Sequence, residues 1–234
     1  MSQRWMPLLL LPWLALVGGV RASDSVLPSP RGEALVIDVE GAIGPATSAF
    51  VERSIARAAS SGARVLVLRM DTPGGLDTAM RAIVKAILAS PVAVVGYVAP
   101  GGARAASAGT YILYACHVAA MAPGTNLGAA TPVQIGGLPG IEPEPKKPAE
   151  GEEAPEKKGS DVSKDKLVND AAAYLRSLAQ LRGRNAEWAE QAVRGAASLP
   201  AQEALQLGVV DLVSPDLEAL LRAIDGRLVR TAAG

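Results

Sequence analysis

A single serine stands in the alanine- and glycine-rich stretch GGARAASAGT at 101–110. Ser107 follows an apolar run at 92–98 and precedes another at 111–114, an order typical of a strand, a tight loop and a helix start. A helix amino terminus presents unpaired backbone N–H groups, and its dipole favours negative charge that develops nearby. Ser107 is therefore a candidate nucleophile. The same small residues would also suit a tightly packed helix crossing, so this stretch alone does not decide between chemistry and packing.

A second loop with suitable chemistry is DTPGG at 71–75, which also follows an apolar run. Gly74 and Gly75 can turn their amides outward with no side chain in the way, and the amide of Ala108 lies directly after the serine. Two converging backbone donors stabilise the oxyanion of a tetrahedral acyl-transfer intermediate. We predict these three residues as the oxyanion site. The alternative is a simple Pro-Gly-Gly turn between a strand and a helix.

The elements that must position these loops alternate regularly along the chain. Apolar runs predict strands, and apolar residues at helical spacing predict helices. The predicted strands are 34–39, 65–70 and 92–98, and the predicted helices are 47–59 and 77–89. Strands that are hydrophobic almost throughout indicate a parallel sheet covered on both faces. Sites in such sheets form at the carboxyl ends of strands, where both loops lie.

The composition fits one ordinary domain behind an export signal. Arg4, the apolar run at 6–20 and the small residues that follow predict a secretory signal peptide at 1–22, with an uncleaved anchor as the alternative. The 23 basic and 23 acidic residues balance, so no net charge favours nucleic acid. Cys116 is the only cysteine and His117 the only histidine. With no Cys/His cluster and no phosphate loop, we expect neither a metal nor another cofactor.

Three motifs in order resemble the Clp protease and crotonase superfamily: DTPGG at 71–75, AASAGT at 105–110 and MAPGTNLGA at 121–129. More narrowly, they are similar to the NfeD-type membrane-associated serine proteases, the stomatin operon partner proteins. The resemblance runs from about 34 to 213 and is interrupted by one insertion. It implies a spiral of strand-strand-helix units around a mainly parallel sheet, within a protease domain at 34–225.

The resemblance also assigns roles to residues. The family's nucleophile falls on Ser107, and its oxyanion amides fall on Gly75, with Gly74 beside it, and on Ala108. The run KLVNDAAAYLRSLA, which begins at Lys166, resembles the segment that carries the family's catalytic lysine. The implied site is therefore a Ser-Lys dyad with a backbone oxyanion hole.

A serine hydroxyl needs a base before it can attack at neutral pH. His117 lies at the entry to a predicted strand, remote from the serine, and the segment 126–131, where Clp proteases carry their histidine, contains none. The resemblance therefore implies Lys166 as the base, in the first turn of a predicted helix whose dipole and burial favour the neutral amine. Asp170, one turn later, could oppose this by stabilising the ammonium. Lys164 is the rival, and both lysines could instead be solvated surface charges.

The strongest shift in composition lies between the candidate nucleophile and base. Residues 132–165 interleave glycine and proline with glutamate and lysine, and such a segment buries too little apolar surface to offset its ordering entropy. We predict a flexible insertion that acts as a lid and leaves Lys166 poorly placed until substrate arrives. A tolerated surface insertion is the alternative. Residues 226–234 are predicted to be a tail.

The expected function is that of an exported Ser-Lys endopeptidase, periplasmic or otherwise extracytoplasmic and associated with a membrane. The resemblance implies stomatin-like or flotillin-like membrane proteins as substrates or partners, cut within apolar segments, and a homodimer. Two alternatives stay open. One is a non-catalytic scaffold of the same fold that binds a membrane partner, and the other is crotonase-like acyl-CoA chemistry.

Overall fold

The computed structural model describes residues 33–133 and 158–234. The predicted signal peptide at 1–22 and the greater part of the predicted insertion lie outside the described residues. Seven helices and eight strands are formed within the described ranges. In chain order they are β1 (Ala34–Glu40), α1 (Pro45–Ser61), β2 (Val65–Asp71), α2 (Asp77–Leu88), β3 (Ala93–Val98), β4 (Arg104–Ala106), α3 (Ala108–Ala115), β5 (Val118–Met121), β6 (Asn126–Gly128), α4 (Lys158–Arg182), α5 (Ala186–Arg194), β7 (Ser198–Pro200), α6 (Ala201–Gln206), β8 (Leu212–Val213) and α7 (Leu217–Ile224).

The main sheet has five strands in the order β1-β2-β3-β5-β8, and every neighbouring pair is parallel. Its two faces are covered, as the continuous apolar runs predict. On β2, Leu66 and Leu68 belong to the large core that includes α1 to α5, whereas Val67 points to a smaller cluster with α7. The predicted α/β fold with a mainly parallel sheet is confirmed.

A small second sheet, in the order β4-β6-β7, was not apparent from the sequence. Strand β4 lies where a continuous loop was predicted, and it joins the two candidate loops. The Thr72 N–H donates to the Arg104 carbonyl at 2.8 Å, and the Ala106 N–H donates to the Thr72 carbonyl at 3.0 Å. The segment is extended because its backbone pairs with distant residues, which a local hydrophobic pattern does not reveal.

Helix α4 begins earlier than the sequence pattern predicts. It starts at Lys158, so the end of the predicted insertion is helical and Lys166 lies well beyond the first turn. The last proline before the helix is Pro155, and no later residue prevents a helical backbone. The predicted effect of the amino-terminal dipole on Lys166 is therefore wrong, because that effect fades beyond the first turn. Leu167, the residue after Lys166, is 42% exposed.

The carboxyl end of α3 is bound by two arginines that follow or end α4. Arg182 Nε donates to the Ala115 carbonyl at 2.9 Å. Arg184 is buried, and its Nη1 and Nη2 donate to the carbonyls of Tyr114 and Cys116 at 2.8 and 3.0 Å. These bonds satisfy carbonyls that a helix end leaves without partners. The helix that begins beside Ser107 is thus fixed at its far end.

The chain after α7 returns to the body of the domain, where the Ala232 N–H donates to the Ser90 carbonyl at 3.0 Å. The predicted tail at 226–234 is thus described and makes contact with the loop before β3. No helix within 33–133 and 158–234 has both the length and the apolar character needed to cross a bilayer.

Candidate active site

Ser107 is the residue before the first turn of α3, and it has an unusual backbone. Its φ is 52° and its ψ is −118°, so a residue that is not glycine adopts a positive φ. Such a conformation costs of order 1–3 kcal/mol and persists only where the surroundings impose it. Here the Ser107 N–H donates to the Gly128 carbonyl at 2.9 Å, and the Ser107 carbonyl accepts from the Thr110 N–H at 2.9 Å. The strained turn holds the half-buried serine at the helix amino terminus.

The structure brings Ser107 against the glycine loop that follows β2. A Cβ built on Gly74 would lie 2.6 Å from Ser107 Cβ and 3.1 Å from Ser107 Oγ, and the φ of Gly74 is +114°. Only glycine therefore fits there without movement. Gly75 is equally constrained on its other side, where an added Cβ would lie 2.1 Å from the Ile43 carbonyl oxygen. The two loops predicted at the carboxyl end of the sheet form one site.

Two of the three amides predicted for the oxyanion site are free to donate a hydrogen bond to a ligand. Within the described residues, the N–H groups of Gly75 and Ala108 have no hydrogen-bond acceptor. The Gly74 N–H instead donates to Thr72 Oγ1 at 3.1 Å, and the Gly74 carbonyl accepts from the Ile43 N–H at 2.8 Å. Donation from Gly74 to a ligand would require breaking its bond to Thr72. The geometry therefore favours Gly75 and Ala108 as donors, with Gly74 allowing the close approach.

Lys166 is exposed, and no hydrogen bond joins its Nζ to Ser107 Oγ in the structure. Its helix nevertheless packs beside α3. The rings of Tyr111 on α3 and Tyr174 on α4 stack with their centroids 6.0 Å apart. Lys166 lies two turns before Tyr174 on α4 and about 80° around the helix from it. The structure places the lysine's helix next to the serine's helix without bringing the two reactive groups together. Lys164, the rival base, is also exposed.

His117 lies at the opposite end of α3 from Ser107, as predicted. Its Nδ1 accepts a hydrogen bond from the Val94 N–H at 3.0 Å, at the amino end of β3. The residue is only 8% exposed, and burial, with help from Arg182, lowers the pKa of His117 to about 4. The imidazole is held neutral by a structural contact and is far from the hydroxyl.

One cluster beside the site was missed in the sequence. Arg81 Nε donates to Asp77 Oδ2 at 2.9 Å, and Arg81 Nη2 donates to Asp170 Oδ2 at 2.5 Å. The guanidinium carbon also lies 4.5 Å from the centre of the Tyr174 ring. The spacing of Asp77 and Arg81 on one helix could have indicated the first pair. Nothing in the local sequence indicates the contact with Asp170, which comes from another helix.

Within 33–133 and 158–234, no group of three or more His, Cys, Asp or Glu side chains could hold a metal ion.

Comparison with known proteins decides the family. Residues 33–225 match the family described as NfeD1b, N-terminal domain. The chain belongs to the NfeD1b N-terminal domain family. The predicted similarity to NfeD-type proteins is thereby confirmed.

A curated relative of this NfeD1b domain is the membrane-bound protease PH1510 of Pyrococcus horikoshii. The two are 38% identical over 195 residues, which is 82% of this chain and 39% of the relative. The chain thus spans well under half the length of that relative.

Solved structures of the 1510-N protease resemble the NfeD1b domain in fold. A variant described as a membrane-bound stomatin-specific protease, with one serine changed to alanine, is 35% identical with a TM-score of 0.71, and the match covers 86% of this chain and 89% of that one. A variant with one lysine changed to alanine, in complex with a substrate peptide, is 35% identical with a TM-score of 0.72, covering 88% and 86%. These likenesses confirm the predicted Clp-protease-like fold.

Proposed function

We propose that this chain is a serine endopeptidase with a Ser-Lys dyad. The observation that carries the proposal is the position of Ser107: a strained turn holds it at the start of α3, against Gly74 and between the unoccupied amides of Gly75 and Ala108. The similar 1510-N structures are described as a protease, in a serine variant and in a lysine variant with substrate. The two side-chain types changed in those variants, serine and lysine, are the types that we propose as nucleophile and base in this chain.

In the proposed reaction, Ser107 Oγ attacks the carbonyl carbon of the scissile bond while the neutral Lys166 amine takes the hydroxyl proton. The Gly75 and Ala108 amides bind the oxyanion that forms. The C–N bond then breaks, and the Lys166 ammonium gives its proton to the leaving amine. Water, deprotonated by the same amine, hydrolyses the ester on the serine. Because Lys166 is exposed in the structure, its side chain or the beginning of α4 must move toward the serine.

The proposed substrate is an apolar segment of a stomatin-like or flotillin-like membrane protein. The supporting finding is the description of 1510-N as specific for a stomatin homologue, for a structure 33% identical to this chain with a TM-score of 0.67, over 87% of this chain and 84% of that one. We further infer an extracytoplasmic, membrane-associated enzyme that acts as a homodimer, with the predicted signal at 1–22 as the route of export.

The test is cleavage of an apolar peptide taken from a stomatin-like protein. Ser107→Ala and Lys166→Ala should each lower kcat/KM by at least about 10³-fold. The reason is that removing one member of a catalytic dyad costs about as much activity as removing both. Lys164→Ala is the matched control and should keep activity. Circular dichroism and thermal unfolding must show that each variant is folded.

Each other outcome identifies a different function. Loss of activity in Lys164→Ala but not in Lys166→Ala would show that Lys164 is the base. Thioester turnover that survives Ser107→Ala would favour the crotonase-like alternative. An absence of any turnover in the folded protein would leave the non-catalytic scaffold.

A further inference from the structure

A carboxylate lies one helical turn after the proposed base. Asp170 and Lys166 have the i, i+4 spacing of helix neighbours. A free carboxylate there would pair with the Lys166 ammonium and hold the proton that a base must lose. In the structure, however, Asp170 Oδ2 accepts from Arg81 Nη2 at 2.5 Å. The group that would oppose the base is already paired with a cation from another helix.

Arg81 is held in place by more than this one ion pair. Its Nε donates to Asp77 Oδ2 at 2.9 Å, and its guanidinium lies over the Tyr174 ring at 4.5 Å. Tyr174 in turn stacks on Tyr111 of α3. A single exposed ion pair contributes little, but an arginine fixed by two carboxylates and an aromatic ring has a defined position. Arg81 is therefore directed to Asp170 rather than free in solvent.

Among the charged groups on this part of α4, Asp170 is the carboxylate whose spacing allows it to pair with the Lys166 ammonium. Asp165 is adjacent to Lys166 in sequence, and adjacent residues do not face each other on a helix. On the side of α5, Arg194 pairs with Glu190 at 2.7 Å and with Asn169 at 2.8 Å. The titratable and charged groups on this part of α4 are Lys164, Asp165, Asp170, Tyr174 and Arg176. Those on the elements that contact α4 include Asp77 and Arg81 of α2, Tyr111 of α3, and Glu190 and Arg194 of α5.

We infer that Arg81 is a positioning residue that pairs with the Asp170 carboxylate and so weakens the hold of that carboxylate on the Lys166 ammonium proton. The inference rests on the proposed role of Lys166 as base. Arg81 belongs neither to the proposed dyad nor to the proposed oxyanion site. It acts through Asp170 by cancelling a negative charge that would stabilise the ammonium.

The test is a pH titration of the Lys166 amine by NMR in the full chain, with ¹³C-labelled lysine and the Ser107→Ala background. Lys166→Arg assigns the resonance. Arg81→Gln should raise the titration midpoint by about 0.3 pH units, because Asp170 then becomes free to pair with the ammonium. Arg81→Lys, which keeps the charge, should leave the midpoint unchanged. The double variant Arg81→Gln/Asp170→Asn should return it to within about 0.1 units of the parent.

The double variant also lacks the Arg81–Asp170 contact between α2 and α4. A midpoint that recovers in this variant therefore shows that the Asp170 charge, and not the lost packing contact, caused the shift in Arg81→Gln. An unchanged midpoint in Arg81→Gln, or a raised midpoint that persists in the double variant, overturns the inference. If Arg81→Gln does not fold, Arg81→Met asks the same question with a side chain that can still pack on Tyr174. The NMR midpoint requires no peptidase activity, so this test fails or succeeds separately from the proposed function.

Discussion

Gly74 and Ser107 approach each other so closely that a methyl group on Gly74 would overlap the serine side chain, with 2.6 Å between the two Cβ positions. The contact joins the loop after β2 to the first turn of α3. The hydroxyl and the Gly75 amide can therefore act on one carbonyl group, and the spacing between them is set by backbone rather than by flexible side chains.

Replacing Gly74 should disturb catalysis more than its effect on stability suggests. Gly74→Ala must move Ser107, and a displacement of about 1 Å can cost about 10²-fold in rate. We expect kcat/KM to fall by at least that factor, with a loss of about 1–3 kcal/mol in the free energy of unfolding from the positive φ. Peptidase assays and urea denaturation measure the two effects.

The matched control is Gly102→Ala, because Gly102 also has a positive φ, +92°, but an added Cβ would meet nothing within 4 Å. It should lose stability without the loss of rate. Equal losses of rate in both variants would show that the contact between Gly74 and Ser107 is not the cause.

The Thr72 hydroxyl should hold the glycine loop in its active shape. Thr72 is fully buried, its Oγ1 donates to the Gly41 carbonyl at 2.6 Å, and it accepts from the Gly74 N–H at 3.1 Å. Thr72→Val leaves both partners unsatisfied, so we expect a loss of about 1–3 kcal/mol in the free energy of unfolding and a lower kcat with little change in KM. Thr72→Ser keeps the hydroxyl and should keep most of the activity. A valine variant as active as the wild type would exclude this role.

His117 should make the domain less stable in mild acid. Its pKa falls from an ordinary value near 6.5 to about 4 in the folded chain, chiefly through burial. The unfolded chain thus binds more protons between these values, so the free energy of unfolding falls as the pH drops from about 6.5 to 4 and levels off below. The loss attributable to this residue is up to about 3 kcal/mol.

His117→Asn provides the comparison, because an amide oxygen can accept the Val94 N–H without titrating. The wild-type and variant proteins should differ in the slope of stability against pH only within that window, as measured by urea denaturation at a series of pH values. Parallel curves would show that the pKa of His117 is the same in the folded and the unfolded chain.

The parts of the fold that were predicted from the sequence are those fixed by local pattern. Strands β1 to β3 and helices α1 and α2 follow from apolar runs and helical spacing, because each buries a continuous face. Ser107 and its glycine partners were found for the same reason: small residues in a short run indicate close backbone approach. Lys166 was found only through resemblance, since an exposed lysine on a polar helix has no local signal.

What the sequence did not reveal depends on partners far apart in the chain. Strand β4 is extended because it pairs with β6 and Thr72, and Arg81 is placed by Asp170. The start of α4 was missed because charged residues next to prolines indicate disorder by composition, although the run after Pro155 is free to continue as a helix. The strained turn at Ser107 is held in part by the bond from its N–H to the Gly128 carbonyl, which belongs to strand β6.

The two arginines at the far end of α3 have a consequence for how this domain tolerates change. Since Arg182 and Arg184 dock the end of α4 onto the serine's helix, the alignment of the two helices is set downstream of the lysine. The number of residues between positions 133 and 158 should therefore have little effect on the position of Ser107. Natural variants are expected to differ widely in that interval while keeping both arginines.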